Sequence, residues 1–372
     1  MGTPEMKVGI LTSSRADFGL YLPLLKAMKA DPFFRIKIIA FGSHLSQDFG
    51  MGISHISEAG FEVAFQIPGM PVDDSPSSIS ESMGKTMIDF TEVWKNETFD
   101  LVFALGDRFE MFAAVASGVP FNIKFAHIHG GETTKGAIDD SFRHSITLMS
   151  CLHFACTEIY RQRVVELTGS DNHVYNTGAL GIDNLRSMRL LSTEEFEKLH
   201  CIDLKVPTIL TTVHPETISF ENNSYYIDEL IAAFDQLRYF QIVVTMPNAD
   251  TSGKIIRERL IAFAKGNNQI RLVENFGTLG YLSCMKHSRL MLGNTSSGFF
   301  EASWFPKWVI NLGNRQQGRI ITPNILNCPF ESNEIINTVK QVIESGTPDP
   351  VYIYGDGTAA EKIIKILKNE YR

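Results

Sequence analysis

Short apolar segments that each end in a polar or glycine-containing loop recur along this chain, and they limit its fold more than any other feature. Residues 6–11, 36–41 and 101–105 are apolar runs of strand length, and apolar residues at helical spacing lie between them. Strands separated by helices predict a parallel sheet. Ligands of such sheets bind beyond the carboxyl ends of the strands. The loops that follow the strands are therefore the first place to look for a functional site.

The same alternation begins again in the second half of the chain. Further strands are predicted at residues 208–213, 240–245, 270–273 and 290–293. A chain of 372 residues also exceeds what one hydrophobic core usually organises. We therefore predict an α/β fold of two Rossmann-like domains with parallel sheets and an interdomain cleft. The predicted domains are residues 1–180 and 181–356, and a helix in residues 357–372 is expected to pack back on the first domain.

The composition narrows the class of protein. With 44% hydrophobic and 20% charged residues the chain is expected to be globular, and a net charge of −8 gives no reason to bind nucleic acid or an anionic membrane. Neither a secretory signal pattern nor an apolar run of membrane-spanning length is visible, which predicts a cytoplasmic protein. The five cysteines are odd in number and scattered, so free thiols are expected.

A cluster of small polar residues in the second half has the features of a phosphate site. The sequence GNTSSG at 293–298 follows a predicted strand and precedes a predicted helix over 299–305. Hydroxyls and the N–H groups of a helix start can bind a diphosphate without a metal ion. The plainer interpretation is that Thr295 or Ser296 only caps the helix. Arg315 and Arg319 come after the next strand and are suited to bidentate recognition of oxygens.

Titratable residues are concentrated in the loops of the first half. Asp107 follows a fully apolar strand and is available for acid–base chemistry, or alternatively for a salt bridge to Arg108. The sequence HIHGGE at 127–132 ends another strand, and Asp139 follows soon after. A metal site is conceivable here, but no pair of histidines stands at helical spacing with a carboxylate. We therefore expect a site that works without a metal.

Taken together, these loops resemble one family, the hydrolysing UDP-N-acetylglucosamine 2-epimerases, which are related to two-domain glycosyltransferases of the GT-B fold. The resemblance covers nearly the whole chain in the same order. Its carriers are SRAD at 14–17, GDR at 106–108, HGGE at 129–132, IDD at 138–140 with RH at 143–144, HP at 214–215, GNTSSG at 293–298, and residues 315–319. The resemblance implies a GT-B-like fold, a UDP-sugar substrate, no cofactor, and a homodimer or higher homo-oligomer.

The resemblance also implies roles for individual residues. The diphosphate would be surrounded by Arg15, His214, Thr295, Ser296, Ser297, Gly298 and Arg315 or Arg319, and Glu301 would bind the ribose. The catalytic set would comprise Asp107, His129, Glu132, Asp139 and His214. One departure concerns His129, because many relatives carry Glu there. Either Glu132 takes over that role or His129 transfers the proton itself.

The implied reaction converts UDP-N-acetylglucosamine to UDP and N-acetylmannosamine by elimination to a glycal, followed by hydration. Three alternatives stay open at this point. The substrate could instead be a UDP-2,4-diacetamido-2,4,6-trideoxy hexose of legionaminic rather than sialic acid synthesis. The chain could also be a GT-B glycosyltransferase that uses the same diphosphate site, or a sugar-nucleotide sensor without catalysis.

Overall fold

A computed structural model describes residues 5–46, 52–71, 73, 75–218, 220–247 and 253–371. The chain forms two compact units. Unit 1 consists of Met1–Glu132, Asp139–Ser187 and Ile353–Arg372, and unit 2 of Thr133–Ile138 and Met188–Tyr352. Within the described residues, no helix combines the length and the apolar character needed to cross a membrane.

The strands of the two units form two separate parallel sheets. In chain order they are β1 (Met6–Thr12), β2 (Phe34–Phe41), β3 (Val63–Ile67), β4 (Leu101–Leu105), β5 (Phe125–Ile128), β6 (Leu152–Ala155), β7 (Val174–Asn176), β8 (Thr208–Thr212), β9 (Gln241–Thr245), β10 (Ile270–Val273), β11 (Leu290–Gly293), β12 (Trp308–Leu312) and β13 (Ile325–Cys328). The sheet of unit 1 has the order β3-β2-β1-β4-β5-β6-β7, and that of unit 2 has the order β10-β9-β8-β11-β12-β13. The predicted α/β class with two parallel sheets is confirmed.

Helices lie between most of these strands. In chain order they are α1 (Arg15–Lys29), α2 (Ile53–Glu58), α3 (Pro76–Asn96), α4 (Phe109–Gly118), α5 (Asp139–Met149), α6 (Glu158–Thr168), α7 (Leu180–Ser187), α8 (Thr193–His200), α9 (Asn223–Gln236), α10 (Gly253–Ala264), α11 (Gly277–His287), α12 (Glu301–Trp304), α13 (Ser332–Glu344) and α14 (Ala359–Glu370). In unit 1, α14 packs against α1 and α7, and its Ile363 and Leu367 are fully buried.

Each sheet is buried between helices, which explains why its strands are nearly continuous apolar runs. Ile10 and Phe103 of β1 and β4 are fully buried in the core of unit 1. The core of unit 2 likewise contains the buried strand residues Ile209, Leu292 and Ile310. The strands must therefore lie inside each unit, and only the loops at their ends can present polar groups to a ligand.

The predicted helix over residues 299–305 is wrong in its extent. A 3₁₀ turn at Ser296–Gly298 is followed by α12, which has only four residues. Phe305 is extended because it precedes Pro306, and a proline disfavours the helical conformation of the residue before it. The consequence is that little helix dipole is available at the GNTSSG segment.

Two buried histidines in unit 1 make its stability depend on pH. Burial lowers the pKa of His127 to about 3 and the pKa of His153 to about 4. Both rings therefore stay neutral in the folded protein at pH 5, whereas they take up a proton near pH 6.5 once the chain unfolds. Since the unfolded state then binds more protons, the free energy of unfolding falls as the pH drops below about 6.5.

We expect a loss of about 1 kcal/mol per pH unit for each of these histidines between pH 6 and pH 4. Urea unfolding at pH 6, 5 and 4 measures the slope, which should be smaller in His127→Gln by the contribution of one proton. Equal slopes in His127→Gln and the unaltered protein would contradict the assignment.

Candidate active site

The carboxyl ends of β1, β4 and β5 lie side by side in unit 1 and carry most of the titratable residues selected from the sequence. Arg15 is the first residue of α1, and its Nη1 lies 3.1 Å from Nε2 of His55. Asp107 follows β4, and residues 129–132 follow β5. Gly131 in this last loop has a φ of +79°, and a Cβ there would lie 2.2 Å from the carbonyl oxygen of Tyr160. Only glycine fits this position.

Arg143 joins the loops after β4 and β5. It lies on α5, and its side chain is only 1% exposed. One guanidinium nitrogen, Nη2, donates to Oδ2 of Asp107. The other, Nη1, donates to Oδ1 of Asp140 at 2.5 Å and to the carbonyl oxygen of Glu132 at 3.0 Å. A planar guanidinium with several donors suits such a junction.

The structure gives Asp107 a different partner from Arg108, the neighbour predicted for the salt-bridge interpretation. The salt-bridge partner of Asp107 is Arg143, whereas Arg108 pairs with Glu110 at 3.0 Å. Asp107 is therefore held against the segment that carries Glu132, and is not simply paired with its neighbour in sequence. Asp139 is the first residue of α5, one position before Asp140. In the sequence Arg143 stands only as part of a motif, and its contacts with Asp107 and Glu132 have no local signal.

His129 and Glu132 form a buried pair with Cys156. Nδ1 of His129 lies 2.6 Å from Oε1 of Glu132, and the Cys156 thiol donates to the same oxygen at 3.4 Å. His129 adopts a φ of 69°, which is uncommon for a residue other than glycine. The thiol was expected only to be free, and its contact with Glu132 carries no signal in the sequence.

The same three residues have the donor types of a zinc site, and their ligand atoms lie within 4.8 Å of one another. Two ligand atoms at about 2 Å from a tetrahedral zinc ion stand roughly 3.3 Å apart. The 2.6 Å separation of His129 and Glu132 is shorter and corresponds to a strong hydrogen bond. The geometry is thus that of a carboxylate positioned by a ring nitrogen and a thiol.

In unit 2, the loops after β8, β11 and β12 lie side by side and carry the other selected residues. Asn294 ties the first two loops together, because its side chain accepts from the N–H of His214 at 2.7 Å and donates to the carbonyl oxygen of His214 at 2.8 Å. The half-buried residues Thr295, Ser296 and Ser297 follow, then the buried Gly298. Glu301 is the first residue of α12.

The hydroxyl of Thr295 does not cap the following turn. In the described part of the chain, no side-chain hydrogen bond caps the 3₁₀ turn at Ser296–Gly298. The capping interpretation of this segment is therefore wrong for Thr295. Three consecutive residues with hydroxyl side chains follow a buried strand. Their hydroxyl groups can donate hydrogen bonds to an external acceptor such as a phosphate oxygen.

Both selected arginines lie in the neighbouring loop after β12. Nη1 of Arg315 donates to the carbonyl oxygen of Pro215 at 2.5 Å. Nε of Arg319 donates to Oε1 of Gln316 at 2.5 Å, and its guanidinium lies 5.0 Å from the centre of the Phe300 ring. Both cations are thereby oriented by the loops next to them.

Residues 133–138 pack against this arginine loop within unit 2. The N–H of Lys135 donates to the carbonyl oxygen of Gln317 at 2.8 Å, and the N–H of Ile138 donates to Oγ1 of Thr217 at 3.0 Å. A Cβ on Gly136 would lie 2.3 Å from the carbonyl oxygen of Asn314. Glycine is therefore required there for the two backbones to approach each other.

Comparisons with known proteins point to the same family as the sequence motifs. The model of the family described as UDP-N-acetylglucosamine 2-epimerase matches residues 26–368. The GDP/UDP-N,N'-diacetylbacillosamine 2-epimerase (hydrolyzing) of Campylobacter jejuni is 35% identical over 341 residues, which are 91% of this chain and 87% of that protein. The UDP-N,N'-diacetylbacillosamine 2-epimerase (hydrolyzing) of Legionella pneumophila is 29% identical and covers 97% of this chain and 95% of its own length.

Solved structures show the same architecture. The crystal structure of UDP-GlcNAc 2-epimerase from Neisseria meningitidis bound to UDP-GlcNAc superposes with a TM-score of 0.79. Sequence identity is 19%, and the superposition covers 98% of this chain and 100% of that one. At this identity the likeness concerns the fold, and it confirms the predicted GT-B-like class.

The buried position of Arg143 leads to a prediction about stability. Arg143→Met removes a buried cation that contacts the Asp107 and Asp140 carboxylates, and we expect the free energy of unfolding to fall by about 3–5 kcal/mol. Arg161→Met is the matched control, because Arg161 pairs with Glu158 on the surface of α6, where such pairs contribute about 0.5 kcal/mol. Urea unfolding of both variants measures the difference. Similar losses in the two would contradict a central role for Arg143.

Proposed function

The chain belongs to the UDP-N-acetylglucosamine 2-epimerase family and is an enzyme of the hydrolysing UDP-sugar 2-epimerase type, and from this premise we propose that its substrate is UDP-N,N'-diacetylbacillosamine. This sugar is the 2,4-diacetamido-2,4,6-trideoxy hexose that the sequence left as an alternative. The products are UDP and the free sugar with inverted configuration at carbon 2.

The observation that carries this choice is the match with the Campylobacter jejuni enzyme, which extends over 91% of this chain at 35% identity. The Legionella pneumophila relative, which is named for the same sugar, is matched over 97% of this chain. Agreement over almost the full length supports a shared substrate as well as a shared fold. UDP-N-acetylglucosamine is the second candidate, supported by the description of the family.

We propose that the loops of unit 2 bind the diphosphate. Thr295, Ser296, Ser297 and Gly298 supply hydroxyl and backbone donors, and His214, Arg315 and Arg319 lie in the neighbouring loops. Since α12 has only four residues, the arginines and hydroxyls carry the stabilisation of negative charge that a longer helix would have shared. One such donor aimed at the departing diphosphate is worth about 3 kcal/mol in the transition state.

The loops of unit 1 supply the acid–base groups in this proposal. A base removes the proton from carbon 2 while the bond between carbon 1 and the UDP oxygen breaks, and the electron pair of that bond leaves with UDP. Water then adds its oxygen to carbon 1 of the glycal, and an acid delivers a proton to the opposite face of carbon 2. Glu132, positioned by His129, and Asp107, positioned by Arg143, are our candidates for these two roles.

The remaining predicted residues have supporting roles in the proposed reaction. Arg15 and Glu301 bind the diphosphate and the ribose, and Asp139 adds a third carboxylate at the start of α5. We further propose that the enzyme works without a metal or cofactor, in the cytoplasm, as a homodimer or higher homo-oligomer.

Kinetics with the two candidate UDP-sugars test the choice of substrate. We expect kcat/KM for UDP-N,N'-diacetylbacillosamine to exceed that for UDP-N-acetylglucosamine by at least about tenfold, because the sugars differ in polar groups at carbons 4 and 6 that a fitted site discriminates.

Isotope labelling tests the proposed elimination and hydration. In D₂O the free sugar should carry one deuterium at carbon 2. UDP formed in heavy-oxygen water should contain no label, because the bond between carbon 1 and oxygen is broken.

Other outcomes of these measurements would indicate a different substrate or a different function. A higher kcat/KM with UDP-N-acetylglucosamine would replace the proposed substrate by the second candidate. Release of UDP only when an acceptor sugar is added would indicate a glycosyltransferase. Tight binding of UDP-sugars without any turnover would indicate a sensor.

The two proposed acid–base carboxylates can be tested by isosteric replacement. Asp107→Asn and Glu132→Gln should each lower kcat by about 100- to 10,000-fold, the usual contribution of general acid–base groups. The dissociation constant of UDP should stay within about threefold, because the diphosphate donors lie in other loops. Glu158→Gln, the same change on the exposed surface of α6, should leave kcat unaltered. Loss of UDP affinity in parallel with kcat would argue for a binding or structural role.

A further inference from the structure

Buried polar side chains outside the predicted set connect the three strand-end loops of unit 2. Asn294 binds both backbone groups of His214. The side-chain amide of Gln316 donates to the carbonyl oxygen of Asn294 at 2.7 Å, and Gln316 in turn accepts from Arg319. Glu216 completes the connections, because its Oε1 accepts from the N–H groups of Asn314 at 2.6 Å and Arg315 at 3.1 Å.

Glu216 is unexpected at this place. It is only 3% exposed, and burying a carboxylate is costly unless strong hydrogen bonds compensate. Its negative charge also stands next to loops that we propose to bind an anion. In the part of the chain that the structure describes, its side-chain acceptor contacts go to backbone N–H groups of the arginine loop. A charged acceptor of this kind makes stronger hydrogen bonds than a neutral one.

The loop after β12 is shaped to accept this carboxylate. Gly313 has a φ of +65°, and a Cβ there would lie 2.4 Å from Oε1 of Glu216. The two N–H groups held by Glu216 belong to the next two residues, so the backbone is fixed where the Arg315 side chain begins. That side chain then turns to the carbonyl oxygen of Pro215, the residue before Glu216. The direction of the Arg315 guanidinium is therefore set from both ends of its side chain.

We propose that Glu216 is a positioning residue for diphosphate binding, acting through the backbone of Asn314 and Arg315 to orient the Arg315 guanidinium. This inference rests on the proposed function, in which Arg315 contacts the diphosphate. Glu216 itself contacts no substrate atom in this arrangement. Its removal should weaken the binding of ligands that contain the diphosphate and leave the binding of the nucleoside part unchanged.

The first measurement compares two ligands. Glu216→Ala should raise the dissociation constant of UDP by about 10- to 100-fold, as expected when a charged site loses an oriented partner, while that of uridine changes by less than about twofold. Glu216→Gln keeps an acceptor oxygen at the same place and should recover UDP binding to within about threefold to tenfold of the unaltered protein. Calorimetry with UDP and NMR titration with uridine give the two constants.

The second measurement is a double-mutant cycle. If Glu216 acts through Arg315, the variant with both Glu216→Ala and Arg315→Ala should bind UDP no more weakly than Arg315→Ala alone, by the non-additivity of coupled residues. Should Glu216→Ala fail to fold, Glu216→Ser replaces it in the cycle, because the shorter side chain also removes the acceptor from the N–H groups of Asn314 and Arg315. Additive losses would overturn the proposal, since they would indicate that the two residues act independently.

Asp183 in unit 1 offers a matched control. It is also a buried carboxylate that accepts two backbone N–H groups, those of Ala359 at 3.0 Å and Ala360 at 2.7 Å. Asp183→Ala should lower the melting temperature without changing the ratio of the UDP and uridine dissociation constants. A changed ratio in this control, or equal losses of UDP and uridine binding in Glu216→Ala, would overturn the proposal.

The outcomes also separate this inference from the function on which it rests. If the unaltered protein binds and turns over a UDP-sugar but Glu216→Ala binds UDP equally well, the inference alone fails. If the unaltered protein binds no UDP at all, the proposed function fails and the inference fails with it.

Discussion

Parallel pairing of adjacent strands is the constraint on which both sets of candidate residues depend. In the part of the chain that the structure describes, all paired strands run in the same direction. The loops after β1, β4 and β5 therefore emerge at one edge of the first sheet, and those after β8, β11 and β12 at one edge of the second. Residues that are far apart in sequence thereby become neighbours. The chemistry proposed for this enzyme is possible only because the backbone hydrogen bonds of the sheets impose this arrangement.

Buried polar side chains then give these loops a defined shape. Arg143 in unit 1 and Glu216 in unit 2 are each almost entirely buried. Each forms hydrogen bonds between loops that the sheet places near each other but does not connect. A buried charge without partners would be strongly unfavourable, so the loops must keep the positions that satisfy it. The two residues have opposite charge, but both stabilise a single arrangement of the groups around them.

The division of polar groups between the units corresponds to the two demands of the proposed reaction. Unit 2 collects hydroxyls and arginines, which suit the charge that develops on a departing diphosphate. Unit 1 collects carboxylates and a histidine, which suit proton transfer at carbon 2. In Glu132 the carboxylate is oriented by a ring nitrogen and a thiol, so His129, the residue that departs from many relatives, contacts the carboxylate that we propose as an acid–base group.

The sequence by itself determined the α/β class, the two parallel sheets and the loops that carry the candidate residues, because strand alternation and glycine or polar punctuation are local properties. The family resemblance supplied their chemical roles. Three features depended on contacts between distant segments and had no local signal: the pairing of Asp107 with Arg143, the thiol of Cys156 beside Glu132, and the capture of the Arg315 backbone by Glu216. The helix predicted over residues 299–305 is confined to Glu301–Trp304, because Phe299 and Phe300 form a turn and Phe305 is extended before Pro306. Of these two differences, only the one before Pro306 has a local signal. Only tertiary packing, which decides the partner of each buried charge, could settle the three distant contacts.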